Sequence, residues 1–408
     1  MPKPPVRALT LGVAALHPLD LAAVQRAAVA LRHAAAGFAE AGYEVQTLRL
    51  STRPVLADLA GWPPSSVIEY VARLQGFLDE VSVAFCSLGP LPPRAGAEGS
   101  EIMADLIVGN RAVNCSVVVA TAEDGLDVPA AAAAARTMAR LAGETEEGFG
   151  NFNFAAIACT GPGTPFFPAA YHAGPANLTI ALQGAGIVAE ALEGGVELAE
   201  VPARIKEKLT EHARPAVELA RRQAAELGVE FAGIDLSPAP NGPDSIGAAM
   251  EQAGHGPLGS PGTLSLAAAV TEGLRGTGLP TCGYCGLMLP VMEDAVLARR
   301  WEEGWLGTDQ LLAYSAVCGT GLDTVPLPGG TSVEQMTRLI CDVATLAVRL
   351  SKPLSARLLP VPGKSAGERT SFSSPYIVNT LIKPLAPAAL PDARRPRPDA
   401  SAEETNNA

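Results

Sequence analysis

The stretch GFGNFNFAAIACTGPGTPFFPAAYHAG, residues 148–174, indicates where the chemistry of this chain lies. Apolar and other residues alternate from Phe152 to Cys159, which predicts a half-buried β-strand. The Gly- and Pro-rich run over residues 160–165 ends this strand. Because rigid loops at strand ends often hold reacting groups, we predict a functional loop here. Its candidate binding and catalytic side chains are Thr160, Thr164, Tyr171 and His172. Asn151 and Asn153, at the mouth of the same strand, could add polar groups or could form only strand-end hydrogen bonds.

Strands and helices alternate on both sides of this stretch, which predicts an α/β fold with a largely parallel sheet. Strands are predicted over residues 6–13, 44–50, 81–87, 115–120, 152–159, 230–236 and 355–359. Helices are predicted over residues 20–41, 65–78, 101–112, 128–142, 262–275, 292–305, 308–316 and 331–351, and residues 176–228 are expected to be nearly all helical. On this interpretation the G-x-G-x-x-A match at residues 184–189 provides small residues for helix packing rather than a dinucleotide site.

Composition limits the classes of partner. The chain has 408 residues, is 48% hydrophobic and carries a formal charge of −12, which disfavours nucleic acid and anionic membranes as partners. We find no signal peptide and no apolar run long enough to cross a bilayer. The seven cysteines do not suggest a secreted disulfide framework. We therefore expect a cytoplasmic protein that acts on a small molecule and forms a homo-oligomer.

A second candidate loop covers residues 282–294. Cys285 closes a Cys-x-x-Cys spacing that stands alone, so a buried structural thiol is favoured over a catalytic one, although Cys285 stays a candidate. Glu293 and Asp294 follow at a predicted helix start. They fit either a partly buried base or ordinary caps that complement the helix dipole.

Two further Gly/Pro-rich segments are predicted to be loops. Residues 315–329 carry Thr320 and Asp323, whose loop amides and hydroxyls could hold an anion, or could form only a turn. Residues 360–367 present Lys364, for which anion contact and plain solvation are equally open.

Several blocks together carry a family resemblance: VRALTLGV, the segment from residue 148, GIDLSPAP, GLMLPVMED, CGTGLDTVPLPG and RLLPVPGK. Because these blocks occur in this order, the chain resembles the DUF711 family, also called UPF0210. The resemblance implies a fold like that of the glycyl-radical enzymes of the pyruvate formate-lyase type, a ten-stranded α/β barrel with a loop inserted inside. The arginine-then-glycine radical motif of those enzymes has no match here, so we do not expect radical chemistry.

If this fold holds, residues 1–382 form one barrel-type domain, and residues 383–408, rich in Pro, Ala and charge, form a disordered tail. The loops around residues 160–172, 282–294 and 318–329 would then converge on one interior cavity.

The leading functional hypothesis is an enzyme, a lyase or isomerase, that acts on a carboxylate- or carbonyl-bearing metabolite by proton transfer. Glu293, Asp294 or Asp323 would be the base, His172 the acid, and Lys364 with loop amides would hold the anionic group. No cofactor is predicted, but a divalent metal is possible. In a metal-dependent hydrolase, Glu293, Asp294 and Asp323 would be ligands together with His255 or His172. A protein that binds a metabolite without turning it over is the third hypothesis.

Overall fold

The computed structural model describes residues 3–92 and 96–385. Its strands are β1 (Val6–Gly12), β2 (Leu48–Ser51), β3 (Phe85–Leu91), β4 (Val113–Thr121), β5 (Gly125–Leu126), β6 (Phe154–Ala158), β7 (Asn177–Leu182), β8 (Glu230–Asp235), β9 (Gly321–Pro328) and β10 (Leu354–Val361).

The helices are α1 (Leu21–Glu40), α2 (Val55–Asp58), α3 (Pro64–Glu80), α4 (Gly96–Ile107), α5 (Val128–Glu144), α6 (Ala185–Leu192), α7 (Val201–Glu226), α8 (Ile246–Gln252), α9 (Thr263–Arg275), α10 (Ala295–Glu302), α11 (Thr308–Ser315) and α12 (Val333–Arg349). The expected cap of α1 is present, since the Asp20 carboxylate accepts from the backbone N–H of Ala23 at 2.7 Å.

All the strands belong to one sheet, in the order β8-β7-β1-β2-β3-β4-β6-β10-β9, with β5 paired to β4. The five central strands, β1 to β4 and β6, run parallel. The outer pairs β7–β8 and β9–β10 are each parallel within the pair and antiparallel to the centre. The predicted α/β class and its largely parallel sheet are therefore confirmed.

The two faces of the sheet differ in chemistry. Along β4, Val113, Cys115 and Val117 belong to the large apolar core shared with the helices. The alternate residues Asn114 and Ser116 are buried on the opposite face. Because side chains in a strand point alternately to the two faces, one face packs against helices and the other carries polar groups.

On the second face, a smaller apolar cluster forms around the loop that follows β6. Its buried members are Val118, Ala155, Ile157, Ala169 and Tyr284, with Phe166 and Tyr171 packed against them. The loop after β6 therefore lies against this second face of β4 and β6 rather than over the edge of the sheet.

Two predicted segments were wrong. Residues 177–182 form β7 rather than a helix, because their alternation of Leu178 and Ile180 with Thr179 suits a sheet with one apolar face. Residues 321–328 form β9 rather than a loop, because Gly321 and Pro326 lie in a strand that pairs along β10. Strand pairing overrides the local Gly and Pro signals in this segment.

A segment without regular structure, residues 280–292, is hydrogen-bonded to both outermost strands. On the β8 side, Ile234 donates to Pro280 O at 2.9 Å and Cys282 donates to Ile234 O at 3.0 Å. On the β9 side, Val291 donates to Asp323 O at 3.2 Å. The two ends of the sheet are thus joined through this segment.

The predicted tail lies, from residue 386 onward, outside the described residues. Lys383, placed in the tail by the sequence, donates to Leu306 O at 2.7 Å. Within the described parts of the chain, no helix combines the length and the apolar character that a membrane span requires.

Candidate functional site

A cavity of about 970 Å³ lies against the polar face of the sheet. Its wall includes side chains from β1 to β4, from the loop after β6, from β8, from the segment before α10 and from β10. Its charged and polar groups include Arg7, Arg49, Asn114, Asp235, Ser237, Glu293 and Arg357. A deep cavity with a few convergent charges is the usual form of a small-molecule site.

Arg7 reaches this cavity from a β-bulge in β1. Val6 pairs with Leu182 and Ala8 with Ala181, so Arg7 is an extra residue between two successive pairs. Its guanidinium donates to Pro240 O at 3.0 Å and to a Glu293 carboxylate oxygen at 3.4 Å. Bulges redirect a side chain in this way.

A second bulge, in β9, faces Arg357 of β10. Leu322 pairs with Ala356 and Val325 with Leu358, so Asp323 and Thr324 together oppose Arg357. Thr324 has a φ of 47°, an unfavourable value for a β-branched residue. This strained turn of the backbone brings Asp323 Oδ1 to 2.6 Å from an Arg357 nitrogen.

Glu293 completes the charged network. The segment before it is fixed to the β9 bulge, since Met292 N–H donates to Thr324 Oγ1 at 3.2 Å. Arg357 Nη2 then donates to Glu293 Oε1 at 2.7 Å, and Arg7 contacts the other oxygen. Two arginines from opposite parts of the sheet therefore hold one carboxylate on the cavity wall.

The two carboxyl groups have opposite pKa shifts. Burial alone would raise the pKa of Glu293, but Arg357 and Arg7 outweigh it and lower that pKa below its usual range. Burial raises the pKa of Asp323, with Arg357 only partly offsetting it. Asp323 Oδ2 has no hydrogen-bond partner among the described residues. Carboxyl groups whose environments separate their pKa values are typical of acid–base sites.

Arg49 differs from the other two arginines. Its Nε donates to Thr47 Oγ1 at 2.9 Å, and its guanidinium lies 5.1 Å from the Phe85 ring centre and 5.2 Å from that of Phe167. Among residues 3–92 and 96–385 no carboxylate forms an ion pair with it. The register explains part of this arrangement, because Arg49 pairs with Phe85 across β2 and β3.

Asp235, at the end of β8, is a buried carboxyl group on the same wall. It accepts from the backbone N–H of Ser237 at 2.8 Å, and from those of Tyr284 and Cys285 at 3.3 Å each. Burial raises its pKa in spite of these hydrogen bonds. Asp235 thus anchors the turn over residues 282–285.

Of the side chains predicted from the sequence, Glu293 and Asn153 lie on the cavity wall, and Asp323 lies behind Arg357. Asp294, next to Glu293, is instead the N-cap of α10 and accepts from Val296 and Leu297 at 2.9 and 3.0 Å. Of the two roles predicted for these acids, Asp294 therefore has the capping role, and Glu293 lines the cavity.

His172 and Lys364 lie away from the cavity wall. His172 is fully buried, with Nε2 3.1 Å from Gly174 O, and burial lowers its pKa. Lys364 is at the surface and donates to Arg369 O at 2.6 Å and to Ser371 Oγ at 2.8 Å. These positions do not suit an acid or an anion contact inside this cavity.

The other predicted side chains support the surrounding structure. Tyr171 donates to Thr160 O at 3.1 Å, and Asn151 donates to Met138 O at 3.1 Å. Burial raises the pKa of Cys285, whose sulfur lies 3.2 Å from Cys282 O. Such a thiol is a poor nucleophile. Thr164 and Thr320 are buried outside the cavity lining.

The side chains named as metal ligands lie in separate settings. Arg357 stands between Glu293 and Asp323, Asp294 caps a helix, and His255 Nε2 lies 2.9 Å from Val196 O. Within the described parts of the chain, no group of three or more His, Cys, Asp or Glu side chains is arranged to hold a metal ion.

Three arginines of the cavity wall, Arg7, Arg49 and Arg357, were not among the side chains predicted from the sequence. Each stands singly in an apolar strand: Arg7 in VRALTLG, Arg49 in LRLS and Arg357 in LSARLLPV. A lone cation in such a strand indicates that one face of the sheet is polar, and this signal could have been used.

Residues 3–374 match the family described as Uncharacterised ACR (DUF711). The chain belongs to this family. A UPF0210 protein of Pyrobaculum islandicum is 32% identical over 347 residues, which are 80% of this chain and 76% of that protein. One of Pyrobaculum arsenaticum is 30% identical over 378 residues, 87% and 82% of the two chains. A UPF0210 protein of Neisseria gonorrhoeae is 27% identical over 350 residues, 82% and 78%.

Membership of DUF711 confirms the resemblance seen in the sequence blocks. The bulges at Arg7 and at Asp323–Thr324 both lie within the matched residues, as do Arg49, Glu293 and Arg357. The names of the relatives state no reaction, so the function of this DUF711 chain has to be argued from its cavity.

Proposed function

We propose that this protein is an enzyme that moves a proton on a small carboxylate- or carbonyl-bearing metabolite, with Glu293 as the base. The observation that carries the proposal is the Glu293 carboxylate, held on the wall of a large cavity between Arg357 at 2.7 Å and Arg7 at 3.4 Å. Proton transfer followed by bond cleavage would make a lyase, and proton return at another atom an isomerase.

The network supplies both parts of such a step. Glu293 Oε takes a proton from a carbon next to a carbonyl, and the electron pair of the broken C–H bond forms an enolate. The guanidinium of Arg7 or Arg357 stabilises the negative charge on the enolate oxygen. Such stabilisation of developing charge is usually the largest single contribution to the rate of an enzymatic reaction. Return of the proton from Glu293 completes the cycle, and no radical is needed.

Substrate binding would also strengthen the base. The arginines hold the pKa of Glu293 down against the effect of burial. A substrate carbonyl that accepts from Arg7 or Arg357 competes for the same N–H groups, so the effect of burial would then raise the pKa of Glu293. Asp323 is a positioning residue in this scheme, because it contacts Arg357 and does not line the cavity.

We also infer that the sheet closes into the ten-stranded barrel that the family resemblance implies. The support is the segment over residues 280–292, which is hydrogen-bonded to both β8 and β9, together with the loop after β6 packed on the inner face. A cytoplasmic location and a homo-oligomer remain predictions from composition.

The test is deuterium exchange. Purified protein is incubated in D₂O with a panel of oxo acids, hydroxy acids and amino acids, and loss of C–H signals is followed by proton NMR. We expect one class of compound to exchange at the carbon next to its carbonyl. The variant Glu293→Gln keeps the size and shape of the side chain but removes the base and one of the two oxygens that accept from the arginines. It should lower the exchange rate at least roughly a hundredfold.

Glu44→Gln is the matched control, because Glu44 also lines the cavity but is exposed and forms no ion pair with another described residue. Exchange in wild type and control that disappears in Glu293→Gln would support the proposal. Exchange that survives in Glu293→Gln would overturn the role of this residue. Tight binding of a compound without exchange or turnover would favour a non-catalytic binding protein.

A further inference from the structure

Among the described residues that line this cavity, Arg49 is the arginine that forms no ion pair. Arg7 and Arg357 share the Glu293 carboxylate, and Arg357 also contacts Asp323. Arg49 donates its Nε–H to Thr47, and its remaining N–H groups have no partner among the described residues. An unpaired guanidinium in a cavity wall is a binding group for an anion.

The surroundings of Arg49 disfavour the positive charge of its guanidinium. Burial and the neighbouring charge of Arg7 lower the pKa of Arg49 to about 9, with Glu293 only partly offsetting them. An arginine stays protonated at neutral pH. An anion beside Arg49 would offset both effects, which favours the binding of negative charge at this residue.

The geometry of Arg49 selects among anions. Its guanidinium lies near two rings, at 5.1 Å from the centre of Phe85 and 5.2 Å from that of Phe167, and these two rings lie 6.4 Å apart, edge to face. With Nε bonded to Thr47 Oγ1, the edge formed by the two Nη groups has no protein partner among the described residues. A planar fork matches a carboxylate with two parallel hydrogen bonds. A single unpaired cation also balances one negative charge rather than the two of a phosphate monoester.

The rest of the wall is rich in phenylalanine. The chain has 10 phenylalanines, all within the described residues, and Phe85, Phe149, Phe152, Phe166 and Phe167 line the cavity. Half of the phenylalanines of the chain therefore line this one cavity. Flat apolar walls of this kind bind flat apolar groups.

We propose that the ligand of this cavity is a monocarboxylate with a flat, largely apolar body. Its carboxylate binds the free edge of Arg49, and its body lies against the phenylalanine wall. This inference rests on the proposed function, because it names the substrate class of the same site and places the reacting carbon near Glu293.

Calorimetry with defined probes tests the inference. Phenylacetate is compared with phenylacetamide, which has the same shape without charge, with acetate, which lacks the ring, and with phenyl phosphate. We expect phenylacetate to bind at least roughly tenfold more tightly than each of the other three, because a charge-assisted pair and the ring contacts both contribute.

The matched variants are Arg49→Met and Arg338→Met, the latter at an exposed position on α12 paired with Glu334. Arg49→Met should weaken phenylacetate roughly tenfold to a hundredfold and change phenylacetamide little. Arg338→Met should leave both affinities unchanged. Equal affinity for phenylacetate in wild type and Arg49→Met, tighter binding of phenyl phosphate, or no heat with millimolar phenylacetate would each overturn the inference.

The two proposals can fail separately. If phenylacetate binds through Arg49 but phenylpyruvate shows no C–H exchange, the ligand class stands and the enzymatic proposal fails. If exchange depends on Glu293 but is insensitive to Arg49→Met, the enzymatic proposal stands and the ligand class fails.

Discussion

Two buried polar clusters lie on this sheet, and only one of them is balanced. Around His17, Nδ1 lies 2.6 Å from Tyr70 Oη, and Nε2 lies 2.9 Å from Thr52 Oγ1. Asp58 accepts from the His17 backbone at 3.1 Å and pairs with Arg53 at 2.9 Å. Every buried side-chain polar atom of these five residues has a partner. This cluster satisfies its own hydrogen bonds and stabilises the fold.

The cavity cluster is different, because Arg49 has no anion and Asp323 Oδ2 has no hydrogen-bond partner among the described residues. Unsatisfied groups cost free energy, so they persist where a ligand or a reaction uses them. Burial and polarity are common to both clusters and therefore do not by themselves identify a functional site. The unpaired charge beside a cavity is what distinguishes the cluster around Arg49.

The largest effect should come from breaking the cavity network. In Arg357→Met, Glu293 and Asp323 remain buried without their shared cation, so the free energy of unfolding should fall by about 3–5 kcal/mol. Urea unfolding measures this change. Arg338→Met, which breaks an exposed pair, should cost less than about 1 kcal/mol. Similar losses in the two variants would show that the network does not stabilise the fold.

The balanced cluster should reveal itself through pH. Burial lowers the pKa of His17 from 6.5 to about 4. Between these two pKa values, His17 is protonated in the unfolded chain but neutral in the folded chain. Lowering the pH through this window therefore destabilises the fold. His17 should contribute about 2 kcal/mol of lost stability between roughly pH 7.5 and pH 5.

The measurement is urea unfolding of wild type and His17→Gln across this range. His172 shifts the dependence in the same direction, because burial also lowers its pKa, so the difference between the two proteins isolates His17. Parallel pH curves would contradict the assignment.

The smallest effect separates two neighbouring carboxylates. Asp294→Ala removes the cap of α10 and should cost about 1 kcal/mol of stability, while the affinity for phenylacetate and any deuterium exchange stay as in wild type. Glu293→Gln should instead lower the rate of deuterium exchange. Loss of exchange in Asp294→Ala, measured on folded protein, would mean that the cap also positions the base.

The sequence allowed most of the fold to be predicted, because the apolar run around Phe154–Ala158 and the capped helix α1 carry local signals. That strand was predicted to be half-buried, but all five of its residues are buried, because the main core covers one face and the cluster around the following loop covers the other. It did not allow β9 to be predicted, because pairing with β10 overrides its Gly and Pro residues.

Glu293 and Asp323 were found in the sequence as loop carboxylates. Their shared partner Arg357 was not, because the contact depends on a bulge in β9 rather than on spacing. A bulge inserts one residue and redirects a side chain, and its position cannot be predicted from the local amino-acid composition.

The segment over residues 280–292 has a second consequence. Unpaired strands at the rim of a sheet are templates for pairing with another chain, and this segment occupies hydrogen-bonding groups of both β8 and β9. The backbone segment that leads to Glu293 therefore also leaves fewer free hydrogen-bonding groups on β8 and β9 for edge-to-edge pairing with another chain. Substitutions that unfold this segment should then increase aggregation, which light scattering measures.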